Sequence, residues 1–63
     1  MIKVTNRVDR QYDTLFEGLY MGKYFKMEVS NCCNEIAIEY ELYGGDFDED
    51  ECEYLANLLV DLL

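Results

Sequence analysis

Hydrophobic residues alternate with polar residues over three stretches of the chain, at residues 1–8, 24–29 and 35–43. A period of two is typical of a β-strand that buries one face. In the later two stretches the inward-facing residues are Phe25, Met27 and Val29, then Ile36, Ile38, Tyr40 and Leu42. Turn-forming residues fill the short connection "SNCCN", so we predict that these two strands form an antiparallel hairpin.

After the first strand, the sequence "DRQYDTLFEGLYMG" follows the spacing of an amphipathic helix. The apolar residues at that spacing are Tyr12, Leu15, Phe16, Leu19 and Tyr20. Asp9 is a suitable N-cap and Gly22 a suitable residue just past the last turn. The pattern predicts a helix over residues 10–21.

The alternative for this segment is a β-hairpin closed by a turn at Gly22 and Lys23. It places Phe16, Gly18 and Tyr20 opposite Val29, Met27 and Phe25. Because it leaves Leu15, Leu19 and Met21 together on the other face, the helix is preferred.

From residue 46 onwards the pattern is helical, and we predict a helix over residues 48–62. Its main apolar stripe contains Cys52, Leu55, Leu58 or Leu59, and Leu62. Asp46 or Asp48 can cap its start, where the helix dipole also favours the negative charges of Glu49, Asp50 and Glu51. Ala56, Val60 and Leu63 fall outside the stripe, which indicates a dimer or partner contact through Val60 and Leu63.

These elements predict a small α+β fold, with residues 1–63 forming a single compact acidic domain. Its sheet is an antiparallel hairpin or a three-stranded sheet, accompanied by the C-terminal helix and an N-terminal helix. A 63-residue chain buries only about 60% of the surface that its unfolded form exposes, so the hydrophobic core is thin.

Charge is distributed very unevenly along the chain. Residues 1–26 contain all five bases and three acids, for a net charge of +2, whereas residues 27–63 contain eleven acids and no base. The total is −9. A block of one sign favours solubility and cationic partners.

The three cysteines are an odd number, and Cys32 and Cys33 are adjacent. Adjacent cysteines bridge each other only with strain, so reduced thiols in a cytoplasmic protein are the simpler interpretation. The N-terminus has no apolar signal core and no window is long enough to span a membrane, so we expect a cytoplasmic protein without membrane contact.

Several kinds of chemistry are disfavoured by the motifs. Asp46, Asp48 and Asp50 have the spacing of the first calcium ligands of an EF-hand loop, but Glu51 stands where the loop needs glycine and Asn57 where it needs glutamate. A zinc site of Cys32, Cys33 and Cys52 lacks the usual CxxC spacing and histidine, and a core-facing Cys52 is preferred. We expect no cofactor and no specific metal site.

Catalysis and direct nucleic-acid binding are also disfavoured. No nucleophile is paired with a base, and a chain this short has little volume for a cleft. The aromatic residues would offer stacking platforms, but the phosphate backbone would meet a strongly negative surface. We therefore predict a protein that is not an enzyme.

The remaining hypothesis is mimicry of nucleic acid by arrayed carboxylates. Glu35, Glu39 and Glu41 share one face of a strand, where alternate residues lie about 6.5–7 Å apart, roughly twice the 3.4 Å rise of a DNA strand. The adjoining helix start would extend this row around a corner. The candidate contact residues are Glu35, Glu39, Glu41, Asp46, Asp48, Glu49, Asp50, Glu51 and Glu53, each as a phosphate surrogate.

In size and in the stretch "NEIAIEYELYGGDFDEDECEY", the chain resembles small acidic inhibitors encoded by bacteriophages, such as anti-CRISPR proteins and uracil-DNA glycosylase inhibitors. The resemblance implies inhibition of a host protein by occupation of its basic DNA or RNA groove, in the host cytoplasm. The alternative is an interaction module that dimerises through its C-terminal helix and is acidic only for solubility. A weak binder of divalent ions is a third, minor possibility.

Overall fold

The computed structural model describes residues 2–30 and 39–63. Within them, four β-strands precede one α-helix: β1 (Ile2–Asp9), β2 (Asp13–Tyr20), β3 (Lys23–Ser30), β4 (Tyr40–Gly44) and α1 (Glu49–Val60). The strands form one antiparallel sheet in the order β1-β2-β3-β4. The predicted α+β class is therefore confirmed, with four described strands rather than two or three.

The helix predicted over residues 10–21 is wrong, because this segment forms β2 and the turn into β3. Its buried residues alternate along the strand as Thr14, Phe16, Gly18 and Tyr20. Leu15 and Leu19 lie on the other face of the same strand, half-buried and 40% exposed respectively. The helical spacing in the sequence thus arises because both faces of β2 carry apolar residues.

The hairpin alternative is correct in kind but differs in its turn and register. The turn residues are Met21 and Gly22, whose φ angles are 54° and 79°, as in the two-residue type I′ turns of tight hairpins. Phe16 consequently pairs with Met27 and Gly18 with Phe25, two residues from the predicted partners.

A β-bulge at Thr5 changes the direction of the side chains in β1. Val4 pairs with Gly18, but Asn6 pairs with Glu17, so one residue is left out of the register. Beyond the bulge Arg7 therefore takes the helix-facing side opposite Phe16, and Val8 turns to the open side opposite Leu15. This explains why Val8, an apolar residue of the alternating stretch 1–8, is 43% exposed.

The core lies between α1 and one face of the sheet. Buried residues of β2 and β3 pack against four residues of the helix, Cys52, Leu55, Ala56 and Leu59. Ala56 was predicted to lie outside the apolar stripe, but it is fully buried. Tyr40 and Leu42 of β4 pack against the same core, as their alternation predicted.

The predicted antiparallel pairing of β3 and β4 is confirmed from Val29 with Tyr40 to Lys26 with Gly44, while residues 31–38 between them lie outside the described chain. The predictions for Glu35, Ile36, Ile38, Cys32 and Cys33 concern residues outside the described ones. The other face of the sheet, which we call the open face, is not covered by any described element. Glu41 and Tyr43 lie on it, because Tyr40 and Leu42 point towards the helix.

Candidate functional site

The first group of candidate residues surrounds the start of α1. We call Asp46, Asp48, Glu49, Asp50, Glu51 and Glu53 the helix-start acidic surface. The helix begins here because Asp48 Oδ1 accepts a hydrogen bond of 2.8 Å from the backbone N–H of Glu51, while the Asp48 N–H donates to Glu51 Oε1 at 3.3 Å. This reciprocal capping box satisfies two backbone donors that the helix leaves free. Asp48 and Glu51 therefore have structural roles.

Lys23, at the start of β3, connects the sheet to this surface. Its Nζ lies 3.5 Å from Glu51 Oε2, donates to the carbonyl oxygen of Asp46 at 3.3 Å and stands 4.6 Å from the centroid of the Phe47 ring. A cation over an aromatic ring is stabilised by the negative face of the ring. Among the described residues, Lys23 is the one base that forms a salt bridge with the helix-start acidic surface.

Four carboxylates of this surface exceed what capping requires. Asp46, Glu49, Asp50 and Glu53 are all exposed, and residues 46–63 contain no base. The helix dipole stabilises the negative charges of Glu49 and Asp50. Glu53 lies beyond the first turn and four residues after Glu49, a spacing at which like charges repel.

The second group of candidate residues lies beside a groove on the open face. The groove has a volume of about 430 Å³ and its acidic lining consists of Asp13, Glu28, Glu39 and Glu41. Glu41 pairs directly with Glu28 across the strands, which is destabilising for two like charges. Arg10 offsets part of this charge, since its guanidinium nitrogens lie 3.2 Å from Asp13 Oδ1 and 3.3 Å from Glu28 Oε2.

The two groups lie on different sides of the sheet. Glu39 and Glu41 line the groove on the open face, whereas α1 covers the opposite face. The predicted continuous row around one corner is therefore divided, in the described residues, into two separate acidic surfaces. Glu35, the remaining candidate, lies outside the described residues.

Sequence reasoning missed Asp13 and Glu28 as neighbours of Glu39 and Glu41. Glu28 was predicted to face outward on its strand, and that signal was sufficient to place it on the open face. Its position opposite Glu41 depends on the register of β3 and β4, which the alternation pattern does not determine.

Tyrosine hydroxyls hold carboxylates in place on the open face. Tyr24 donates a hydrogen bond of 2.6 Å to Glu17 Oε2, which lowers the pKa of Glu17 and raises that of Tyr24. The hydrogen bond between Tyr43 and Glu41, with desolvation and the charge of Glu28, raises the pKa of Tyr43 to about 12. The same hydroxyl lies 3.4 Å from Glu28 Oε2, so its single proton is shared between the two carboxylates.

The other predicted chemical groups are placed as follows. Cys52 is buried in the core, as predicted, and its burial raises the pKa of the thiol. Across residues 2–30 and 39–63, His, Cys, Asp and Glu side chains form no group of three that could hold a metal ion. The helix of the described chain has 12 residues and is not long and apolar enough to cross a membrane.

Comparison with protein-family models, with curated proteins and with solved structures finds no match to this chain.

Proposed function

We propose that this protein is a non-enzymatic acidic inhibitor that competes with nucleic acid for the basic groove of a host protein. The observation that carries the proposal is the helix-start acidic surface, where Asp46, Glu49, Asp50 and Glu53 are exposed and outnumber Lys23, the one base of residues 2–30 and 39–63 that forms a salt bridge with this surface. A rigid array of carboxylates meets Lys and Arg side chains through the same electrostatic attraction as a phosphate backbone.

Two pairs of like-charged residues support a role in binding for the carboxylates. Glu49 and Glu53 are four residues apart on α1, and Glu28 and Glu41 are direct partners across β3 and β4. Both arrangements cost free energy of folding. A role in binding explains why the sequence retains them, whereas solubility alone requires only net charge.

The proposed mechanism is stoichiometric occupation. The acidic surface displaces counterions from the groove of the host protein and thereby excludes DNA or RNA from it. Because the attraction is between exposed charges, the affinity falls steeply as salt rises. The protein acts in the host cytoplasm in this proposal, and its direct partner is a basic nucleic-acid-binding protein rather than nucleic acid.

The experiment is displacement of a fluorescent DNA duplex from two purified basic proteins, uracil-DNA glycosylase and an RNA-guided Cas9-type nuclease. We expect this chain to displace the duplex from at least one of them and to lose potency as salt rises. Glu53→Lys should weaken displacement at least several-fold. The matched control is Asp61→Lys, which makes the same charge change at the C-cap of α1, outside the helix-start acidic surface.

Two outcomes would overturn the proposal. One is the absence of displacement from both proteins at low salt. The other is equal potency of the wild type, Glu53→Lys and a Glu39→Lys/Glu41→Lys double variant, since these changes alter both acidic surfaces.

The alternative function, dimerisation through the C-terminal helix, is favoured by two exposed leucines. Leu62 and Leu63 are each 45% exposed and follow the last residue of α1. Val60, the other residue proposed for this contact, is half-buried and packs against the protein's own core. Light scattering should show a dimer that Leu63→Glu dissociates if this alternative holds.

A further inference from the structure

The open face of the sheet carries several apolar side chains that no described element covers. Val8, Leu19, Tyr24 and Tyr43 are 43%, 40%, 47% and 55% exposed, and Leu15 lies half-buried among them. They come from all four strands, so they are spread over the whole face. Tyrosine and leucine on one face of a small domain are typical of a protein interface rather than of a solvated sheet.

The open face is less acidic than the rest of the chain. Its bases are Lys3, Arg10 and Lys26, and its carboxylates are Asp13, Glu17, Glu28, Glu39 and Glu41. Three positive and five negative charges give −2 for the described residues of this face, which leaves −7 of the total of −9 for the remaining residues. Two copies of so acidic a protein therefore repel each other less when these faces approach than when the helix-start acidic surfaces do.

The area of the face matches the need of a modest dimer. Three of the strands have eight residues and β4 has five, so at about 3.3 Å per residue and 4.8 Å between strands each face covers roughly 450 Å². Two such faces bury about 900 Å² in total, the area of a weak, concentration-dependent interface.

We propose that two copies of this chain associate through their open faces, as a sandwich of two four-stranded sheets with a helix on each outer side. Packed sheets lie about 10 Å apart, and their inner side chains interdigitate. The added contact supplies a second buried layer to a 63-residue chain whose own core is thin. This inference does not depend on the proposed function, and it leaves both helix-start acidic surfaces facing outward.

The test is sedimentation equilibrium of the purified chain from low micromolar to near-millimolar concentration. We expect the mass to rise from 7.4 kDa towards twice that value. Leu19→Glu should hold the protein at the monomer mass across the range. The matched control is Leu63→Glu, which makes the same substitution at a similarly exposed leucine, and it should leave the dimer intact.

Circular dichroism of each variant checks that it is folded, and Val8→Glu is the second variant of the open face if Leu19→Glu does not fold. A wild-type chain that remains monomeric throughout would overturn the inference. A dimer that Leu63→Glu dissociates while Leu19→Glu or Val8→Glu does not would overturn it as well and would place the contact at the C-terminal end of α1.

Discussion

Arg7 Nη1 donates a hydrogen bond of 2.8 Å to the carbonyl oxygen of Leu62, which joins the edge strand β1 to the chain just beyond α1. The same side chain lies 3.0 Å from Asp9 Oδ1, and its guanidinium carbon stands 5.4 Å from the centroid of the Phe16 ring. The last turn of α1 contains no basic residue. Arg7 thus supplies from the sheet the positive charge that a helix C-terminus favours.

Replacement of Arg7 by Met should lower the free energy of unfolding by about 1–2 kcal/mol, because the hydrogen bond and the contact with the Phe16 ring are both lost. Urea denaturation followed by circular dichroism measures the change. The control is Lys3→Met, which removes a base from the same strand on the open face and should change stability by less than about 0.5 kcal/mol. Equal losses in the two variants would show that the Leu62 contact contributes nothing.

The role of Arg7 illustrates what alternation along a strand cannot predict. The sequence pattern correctly indicated a strand at residues 1–8, but the bulge at Thr5 reverses which side chains face the helix. The bulge is accompanied by Gly18, where an added Cβ would overlap the carbonyl oxygen of Lys3. Neither feature has a local signature, because both depend on how closely β1 approaches β2.

Replacement of Gly18 by Ala should destabilise the fold by at least about 1–3 kcal/mol, since the methyl group can be accommodated only if β1 moves away from β2. Thermal unfolding followed by circular dichroism measures the loss. The matched control is Gly22→Ala, which meets no atom within 4 Å but has a positive φ of 79°, so its cost is that of backbone strain alone. An unchanged unfolding temperature in Gly18→Ala would contradict the close approach of the two strands.

Met21→Asn should stabilise the protein by roughly 0.5–1 kcal/mol. Met21 has a φ of 54° at the first position of a type I′ turn, where Asn is preferred because it tolerates the left-handed region. Met21 is 66% exposed, so little packing is lost on substitution. Chemical denaturation should show a higher midpoint for Met21→Asn and a lower one for Met21→Val, whose branched side chain is disfavoured at positive φ.

The same turn explains why the sequence pattern predicted the wrong register for this hairpin. The usual signal of such a turn is Asn-Gly or Asp-Gly, and "MG" does not carry it. Thr14 and Gly18 occupy core-facing positions of β2, but neither is a large apolar residue, so the alternation of the strand is not visible there in the sequence. The start of α1 was more predictable, because capping by Asp48 is a local interaction with residues three positions away.

Alkaline pH should weaken the protein through Tyr43. Its pKa in the folded state is about 12, above the ordinary value of 10.0, because the neutral phenol is hydrogen-bonded to Glu41. A raised folded-state pKa means that the stabilisation is complete below pH 10 and is lost as the pH rises from 10 towards 12. Urea denaturation across this interval should show a steeper decline for the wild type than for Tyr43→Phe. Parallel declines would contradict the assignment.

The acidic surfaces predict opposite effects of one substitution on stability and on binding. Glu53→Gln removes a like-charge repulsion from Glu49, so we expect the free energy of unfolding to rise by about 0.2–0.5 kcal/mol. The same change removes one phosphate surrogate from the helix-start acidic surface, so displacement of DNA from the target protein should weaken at low salt. Asp61→Asn is the control for binding, since it neutralises an exposed carboxylate outside the helix-start acidic surface. A variant that gains stability and keeps full potency would mean that Glu53 serves neither the fold nor the proposed contact.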